Sequence, residues 1–259
     1  MISVIVVSLN TKDDFIKTIN SILSQTKKVE IIVVDGESKD GTIEEIKKIS
    51  KYLNKIIVEK DEGIYFAMNK GIRMASSEWV YFLNSGDIFF ENTTVENIMN
   101  TLIKNREADV VIGNSLVKKK KYLVKSPRTE MDNNTVNSCF SHQSTFVKKD
   151  LLKQYPFNTK YKFASDFDFY LKLFKFNKKF CYVDQFISIN KYGGISDINR
   201  IKVYLEFKNV IFTRNYNFFN ISKINGLIFI NFLKKIIKLI LPTSLIEKIV
   251  YIFDRKNKC

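Results

Sequence analysis

Four stretches of this chain set carboxylates where chemistry is possible. In Val33-Val34-Asp35-Gly36-Glu37-Ser38-Lys39-Asp40-Gly41-Thr42, Asp35 closes an apolar run and precedes a glycine. An acid so placed can accept hydrogen bonds from a base or a ribose. Asp40, just before Gly41-Thr42, suits a helix cap or turn better than a ligand. Asp61 follows a third apolar run, Lys55–Val58. In Phe82-Leu83-Asn84-Ser85-Gly86-Asp87, a carboxylate could hold a hard divalent cation against a diphosphate. The same Asn-Ser-Gly-Asp residues also make an ordinary turn. Ala164-Ser165-Asp166-Phe167-Asp168-Phe169 opens a helix, and its two acids, two apart, do not share a helical face. One can cap the helix while the other serves as general base on a hydroxyl; alternatively both are first-turn acids favoured by the helix dipole.

The single histidine, His142, lies in Ser141-His142-Gln143-Ser144. One histidine without flanking cysteines cannot build the common zinc sites. A structural or substrate-contact role ranks ahead of a catalytic base, and no nucleophile elbow accompanies it. No GxxxxGK[ST] loop and no GxGxxG after the first strand occur, which excludes P-loop NTPases and dinucleotide oxidoreductases.

The elements that must hold these residues alternate strand and helix. Ser3–Leu9 is a β-branched run suited to a buried parallel strand. Thr11 and Asp14 have capping-box spacing for a helix whose apolar positions are Phe15, Ile16, Ile19, Ile22 and Leu23. Glu30–Val34, Lys55–Val58 and Trp79–Leu83 continue as strands, with helices after Gly41 and over Ile64–Ala75. Such a series predicts a parallel sheet whose ligands bind beyond the carboxyl ends of the strands. Those ends carry Asn10, Asp35, Asp61 and Asn84–Asp87. Thr94–Asn105, Asp166–Phe176 and Ile198–Tyr216 are further helices. Val110–Val117 with Tyr122–Val124 is a hairpin with Lys118–Lys121 at its tip, and Lys179–Asn190 is a strand region.

The chain has 259 residues, 45% of them hydrophobic, with three prolines and three scattered cysteines. That suits one substantial α/β domain in a reducing cytosol. Met1 runs straight into the first strand, so no signal peptide is expected. The formal charge is +15, and residues 200–259 alone carry twelve basic and three acidic side chains. Such asymmetry points to an anionic partner, or to a lysine-rich solvated surface.

Val4-Ile5-Val6-Val7-Ser8-Leu9-Asn10, Ile32 to Thr42 and Leu83-Asn84-Ser85-Gly86-Asp87, in this order and spacing, resemble the family-two glycosyltransferases of the GT-A fold. Glu59-Lys60-Asp61-Glu62-Gly63-Ile64-Tyr65-Phe66-Ala67-Met68-Asn69-Lys70-Gly71, His142-Gln143 and Ala164 to Asp168 resemble the small bacterial polysaccharide enzymes among them, colanic-acid type included. The likeness runs from about Met1 to Ser196. It implies a Rossmann-like, mostly parallel α/β sheet flanked by helices. A catalytic domain would span residues 1–197, with nucleotide-binding (1–90) and acceptor (91–197) halves, and 198–259 would form a helical extension. It further implies an inverting transfer from a nucleotide-diphospho-sugar, with uridine preferred, to a saccharide or polyprenyl-linked acceptor. Ser8, Asn10, Asp35, Asp61, Asn69, Lys70, Asn84 and Ser85 would meet the donor. Asp87 would bind Mn²⁺ or Mg²⁺, and Asp166 would be the base. His142, Gln143, Asp168, Gly193 and Gly194 would line the acceptor side, the glycines hinging a loop over the diphosphate or making a plain turn. Two positions depart from the family pattern: Asn84 or Ser85 stands where DxD has its first Asp, and Ser165 stands where an acid usually precedes the base. The QxxRW motif of processive members is missing, which implies addition of single sugars.

In the tail, Asn231, Lys234, Lys235 and Lys238 form one polar stripe on the apolar run Leu227–Leu241. Pro242 ends it, and Ser244 and Glu247 have capping-box spacing for a second helix. A basic amphipathic pair of this kind suits the inner face of an anionic membrane, or packing on the domain or on a second subunit as a homo-oligomer. A nucleic-acid-binding protein would explain the charge but not the acidic strand ends. A non-catalytic relative that binds a nucleotide-sugar or scaffolds an assembly is the other alternative.

Overall fold

The computed structural model describes residues 1–119, 123–125, 142–214 and 224–233. The first strand, β1 (Ile2–Ser8), is buried along its whole length. Its side chains alternate between two cores, Val4 and Val6 on one face of the sheet and Ile5 and Val7 on the other. Burial on both faces is why the run is continuously apolar. Helix α1 (Lys12–Leu23) covers the first face with Phe15, Thr18, Ile19 and Ile22, a stripe at helical spacing; Leu23 is exposed. The expected Thr11–Asp14 capping box does not form. Thr11 Oγ1 has no partner, and Asp14 turns outward to Lys17 and Lys191.

Strand β2 (Glu30–Asp35), helix α2 (Thr42–Ile49) and strand β3 (Lys55–Val58) follow. Asp40 joins the two helix starts, accepting from Lys12 N–H at 2.9 Å and Thr42 N–H at 3.1 Å, and so braces the turn into α2, whose N-cap is Gly41. Helix α3 (Ile64–Met74) packs on the second face and leads to β4 (Trp79–Phe82). Gly71 lies so close to β1 that a Cβ there would meet Ile5 Cγ2 at 2.5 Å. Only glycine lets the helix sit this near the sheet.

Beyond β4 the chain reverses repeatedly through β5 (Ile88–Phe89), α4 (Thr94–Lys104), β6 (Val110–Lys118) and β7 (Leu123–Lys125). It continues through β8 (Thr145–Lys148), α5 (Lys149–Gln154), α6 (Ser165–Lys175) and β9 (Phe180–Lys191). Among the described residues, nine strands form one sheet in the order β3-β2-β1-β4-β8-β6-β9-β5, with β7 beside β6. The expected α/β layering holds, and β3, β2, β1 and β4 are mutually parallel. The rest makes the sheet mixed rather than mostly parallel. Strand β8 enters antiparallel between β4 and β6, and β5 and β7 are also antiparallel to their neighbours; only β6 with β9 is parallel there. Of these antiparallel pairs only β6 with β7 is a short hairpin return, which cannot be parallel because parallel pairs need long crossovers; the others join strands far apart in the chain.

Helices α7 (Ile195–Ile198) and α8 (Arg200–Thr213) follow β9, and residues 224–233 are helical. Ile224 and Ile228 join Val203, Phe207, Val210 and Ile211 in a third core. The second tail helix, Pro242, Lys234, Lys235 and Lys238, and the tip lysines 120 and 121 lie outside the described residues. Among the described residues, no helix is long and apolar enough to cross a membrane.

Candidate active site

The carboxyl ends of β1 and β2 are knitted to each other. Asp35 is fully buried. Its Oδ2 accepts from the Ser8 and Ser38 hydroxyls, both at 2.7 Å, and its Oδ1 from Ser38 N–H at 2.7 Å. Asn10, in left-handed backbone at φ 52°, donates its N–H to Ser38 Oγ and accepts Lys39 N–H, each at 2.7 Å. Ser8, Asn10 and Asp35 therefore come together as expected, but Asp35 serves the loop. Both of its oxygens are met by donors from the strand end and the loop. Ser38, which the sequence reading passed over, is the hub of this arrangement.

Asp61 lies against Gly36, where an added Cβ would come within 3.7 Å of Asp61 Oδ2 and 3.2 Å of Leu9 Cδ1. Lys70 Nζ stands 2.7 Å from both Asp61 Oδ1 and Glu59 Oε1. Burial pulls the Lys70 ammonium down, but its attraction to these two carboxylates outweighs that and raises it. Lys70 thus occupies Asp61 Oδ1, while the buried Oδ2 has no hydrogen-bond partner. Buried acceptors of this kind are normally satisfied, so Asp61 fits a ligand's N–H or O–H. Asn69 is a correction. It exchanges hydrogen bonds with the backbone of Phe157, at 2.9 and 3.0 Å, and so pins α3 to the loop before α6 instead of facing a donor.

After β4, Gly86 takes φ 103°, which brings Asp87 back under the turn. Ser85 Oγ donates to Val7 O at 3.1 Å, Gly86 N–H to Thr18 Oγ1 at 2.9 Å, and Thr18 Oγ1 to Asp87 O at 2.7 Å. Ser85 is thus a brace of the turn. Asp87 is 5% exposed and accepts from Lys191 N–H at 2.9 Å and Gln143 Nε2 at 3.1 Å. Burial pushes its carboxyl up to about 6 against these two donors. Such a group gains from a cation. Asn84 Oδ1 is likewise buried without a partner. A hard divalent ion suits that donor set, one carboxylate plus an amide oxygen, with a ligand's phosphates completing the shell. Among the described residues no group of three or more His, Cys, Asp or Glu gathers as a self-sufficient metal centre.

Asp166 sits in the first turn of α6. Its Oδ1 accepts from the Tyr65 hydroxyl and Phe167 N–H, both at 2.9 Å, and its Oδ2 faces His142 Nδ1 at 3.1 Å. His142 Nε2 in turn lies 2.9 Å from Asn84 Nδ2. With the amide nitrogen as donor, Nε2 accepts and Nδ1 carries the proton that bonds Asp166. Burial pushes the Asp166 carboxyl up, but its interactions with His142, then Tyr65 and Phe167 N–H, prevail and hold it below its usual range. It is therefore ionised at neutral pH. Gln143 stays nearby, its carbonyl accepting from Tyr81 at 2.5 Å and Ser188 at 2.6 Å. Tyr65 belongs to the Gly63-Ile64-Tyr65 motif, a signal present in the sequence but left without a role.

Two acceptor-side expectations change. Asp168 is 2% exposed and held by both nitrogens of the Arg214 fork, at 2.8 and 2.9 Å, so it is a structural ion-pair partner. Gly193 and Gly194 form an exposed turn after β9, with Gly193 N–H bonded to Asp197 Oδ2 at 3.0 Å.

Residues 3–185 match the model of the family "Glycosyl transferase family 2". A PGL/p-HBAD biosynthesis glycosyltransferase of Mycobacterium bovis (strain BCG / Pasteur 1173P2) is 25% identical over 214 residues, covering 80% of this chain and 83% of that protein. In fold, the chain is similar to S. aureus TarS 1-349 in complex with UDP-GlcNAc. The TM-score is 0.67 at 18% identity, with 88% of this chain and 70% of that one covered. The mannosyltransferase PcManGT from Pyrobaculum calidifontis, in complex with GDP-Man and Mn²⁺, gives 0.66 at 18% identity, covering 88% and 69%. The chain belongs to glycosyl transferase family 2 and is a glycosyltransferase.

Proposed function

We propose that the chain is an inverting glycosyltransferase. It moves a sugar from a nucleotide-diphospho-sugar, uridine-linked by preference, to a hydroxyl of a saccharide or lipid-linked acceptor in bacterial cell-surface polymer synthesis. The observation that carries this reading is the unbroken line Tyr65–Asp166–His142–Asn84. It ties an ionised carboxylate at a helix start to the strand-end turn suited to a diphosphate.

Asp61, with Oδ1 paired to Lys70 and its buried Oδ2 without a donor, accepts from the base or ribose, while Gly36 leaves room beside it. Asp87 and Asn84 Oδ1 would hold Mn²⁺ or Mg²⁺, which supplies charge neutralisation on the leaving diphosphate. Asp166 takes the proton of the acceptor hydroxyl as its oxygen attacks the anomeric carbon. The attack comes from the face opposite the diphosphate, whose bond to that carbon breaks, so no covalent enzyme intermediate is needed. Tyr65 and His142 keep the carboxylate ionised and aimed.

The test is transfer from labelled UDP-sugars with and without Mn²⁺. Asp166→Asn should lower kcat by roughly 10²–10⁴-fold, and Asp87→Ala should abolish the response to Mn²⁺. Full activity in either variant would overturn the role given to that residue.

We also assign the enzyme to the cytoplasmic face of an anionic membrane. Phe229, Ile230, Phe232 and Leu233 are exposed on the helix of residues 224–233, and Lys234, Lys235 and Lys238 follow in sequence. Apolar side chains beside basic ones favour an anionic interface. The full chain should sediment with phosphatidylserine vesicles at low salt and lose that binding on Phe229→Ser/Phe232→Ser substitution; no binding by the parent chain refutes the assignment.

A further inference from the structure

In the first turn of α6, Asp166 takes the Phe167 N–H on its own Oδ1, but the N-cap residue adds no side-chain cap. Ala164 stands at the N-cap position without a capping bond, and Ser165 Oγ is buried with no partner. The open N–H groups at a helix start leave it prone to fray, so something else must hold this turn still. That restraint comes from α8, beyond the expected end of the catalytic domain.

Glu206 on α8 accepts the N–H groups of Lys162 at 3.0 Å and Phe163 at 2.7 Å, in the loop that runs into α6. Two turns further on, Arg214 grips Asp168 through both nitrogens of its fork, a pairing with fixed planar geometry. Between them the Phe207 ring packs on Phe167 with centroids 4.4 Å apart. Ala164 and Phe167 are buried with Val203, Val210 and Ile211. Residues 162, 163, 164, 167 and 168 are thus all held by α8, while Asp166 in their midst is left to Tyr65 and His142.

We propose that Glu206 and Arg214 are positioning residues for the transfer reaction. They fix the first turn of α6 so that the Asp166 carboxylate meets Tyr65, His142 and the acceptor hydroxyl together. The role rests on reading Asp166 as the base. It makes α8 part of the active-site scaffold instead of an appendage that only carries charge. An error of an ångström in a catalytic group can cost about 10²-fold in rate, so a grip on this turn matters to turnover more than to donor binding, whose contacts lie at the strand ends.

His142 is the chain's one histidine, so histidine-labelled NMR of the full-length protein gives a single imidazole that reports directly on the Asp166 contact. Two changes would be compared with the parent chain and with Asp166→Asn. One is Glu206→Ala; the other is the double change Asp168→Asn/Arg214→Gln, which removes the buried carboxylate together with its half-buried partner and leaves neither unpaired. Both should move the His142 resonances toward those of Asp166→Asn. They should lower kcat by roughly 10–100-fold while the donor KM stays within about twofold. If Glu206→Ala does not fold, Glu206→Gln, which keeps one acceptor oxygen, should give a smaller shift in the same direction. Variants that melt earlier but keep the parent His142 spectrum and kcat would show α8 to be packing alone, and would overturn the proposal. If Asp166→Asn retains transfer, the base assignment falls, and the His142 spectrum still decides whether α8 places this turn.

Discussion

Asp35 closes β2 and Asp61 follows the neighbouring parallel β3; both side chains are shut away from solvent, yet their oxygens meet different conditions. Asp35 is filled from within by two serine hydroxyls and a backbone N–H. Asp61 has the Lys70 ammonium on Oδ1 and no donor on Oδ2. The same cue, an acid after a parallel strand, thus serves two ends: one carboxylate shapes the loop, and the other is left for a ligand. An unsatisfied buried acceptor costs stability, and a site keeps one where binding supplies the missing donor.

Reciprocal substitutions can break that contrast. Asp61→Asn should weaken donor or UDP binding by roughly 10–100-fold, the worth of one or two hydrogen bonds to a charged group, with little change in melting. Asp35→Asn should cost about 2 kcal/mol of folding stability, seen in denaturant titration, with a smaller effect on donor affinity. If Asp35→Asn leaves stability untouched and only binding suffers, the two acids are alike and the distinction fails.

Glu30, at the opposite end of β2, sharpens the comparison. It too is buried, held by Ser76 N–H at 2.9 Å, Ser76 Oγ at 2.7 Å and Lys55 Nζ at 2.9 Å, and by Ser3 Oγ. Burial pushes its carboxyl up, but these partners, Ser3 and Ser76 foremost, bring it down to about 2. A carboxyl lowered on folding adds stability above its unfolded pKa, near 4.5. That stability is lost as pH falls from there toward 2. Glu30→Gln should cost on the order of 1 kcal/mol at pH 7, because glutamine keeps one acceptor, and should flatten the melting temperature between pH 5 and about 3. An unchanged acid slope would remove Glu30 from the account.

Periodicity and strand-end chemistry made the first four strands and their acidic ends legible in sequence, because local burial dictates both. The partners of those acids were not legible. Asp35 with Ser8, Asn69 with Phe157, Asp168 with Arg214 and His142 with Asp166 pair across 24 to 88 residues, and nothing local announces which donor a buried oxygen finds. The Thr11–Asp14 spacing misled for a related reason: a long-range ion pair to Lys191 drew Asp14 away from its own helix. The mixed character of the second half escaped because a late strand, β8, takes its place in the centre of the sheet.

That insertion bears on how the chain is made. When β4 leaves the ribosome, one of its edges has no partner until β8 arrives, about 60 residues later. At ordinary synthesis rates this is a delay of roughly 3–12 s. During that interval the nascent parallel block presents an open apolar edge, the kind of surface on which chains aggregate. Closure of the sheet also needs Ile88 and Phe89 to meet Ile189 and Ser188 across some hundred residues. Productive yield in a cell should therefore depend on protection of the half-made sheet and on the pace of translation between Phe82 and Thr145.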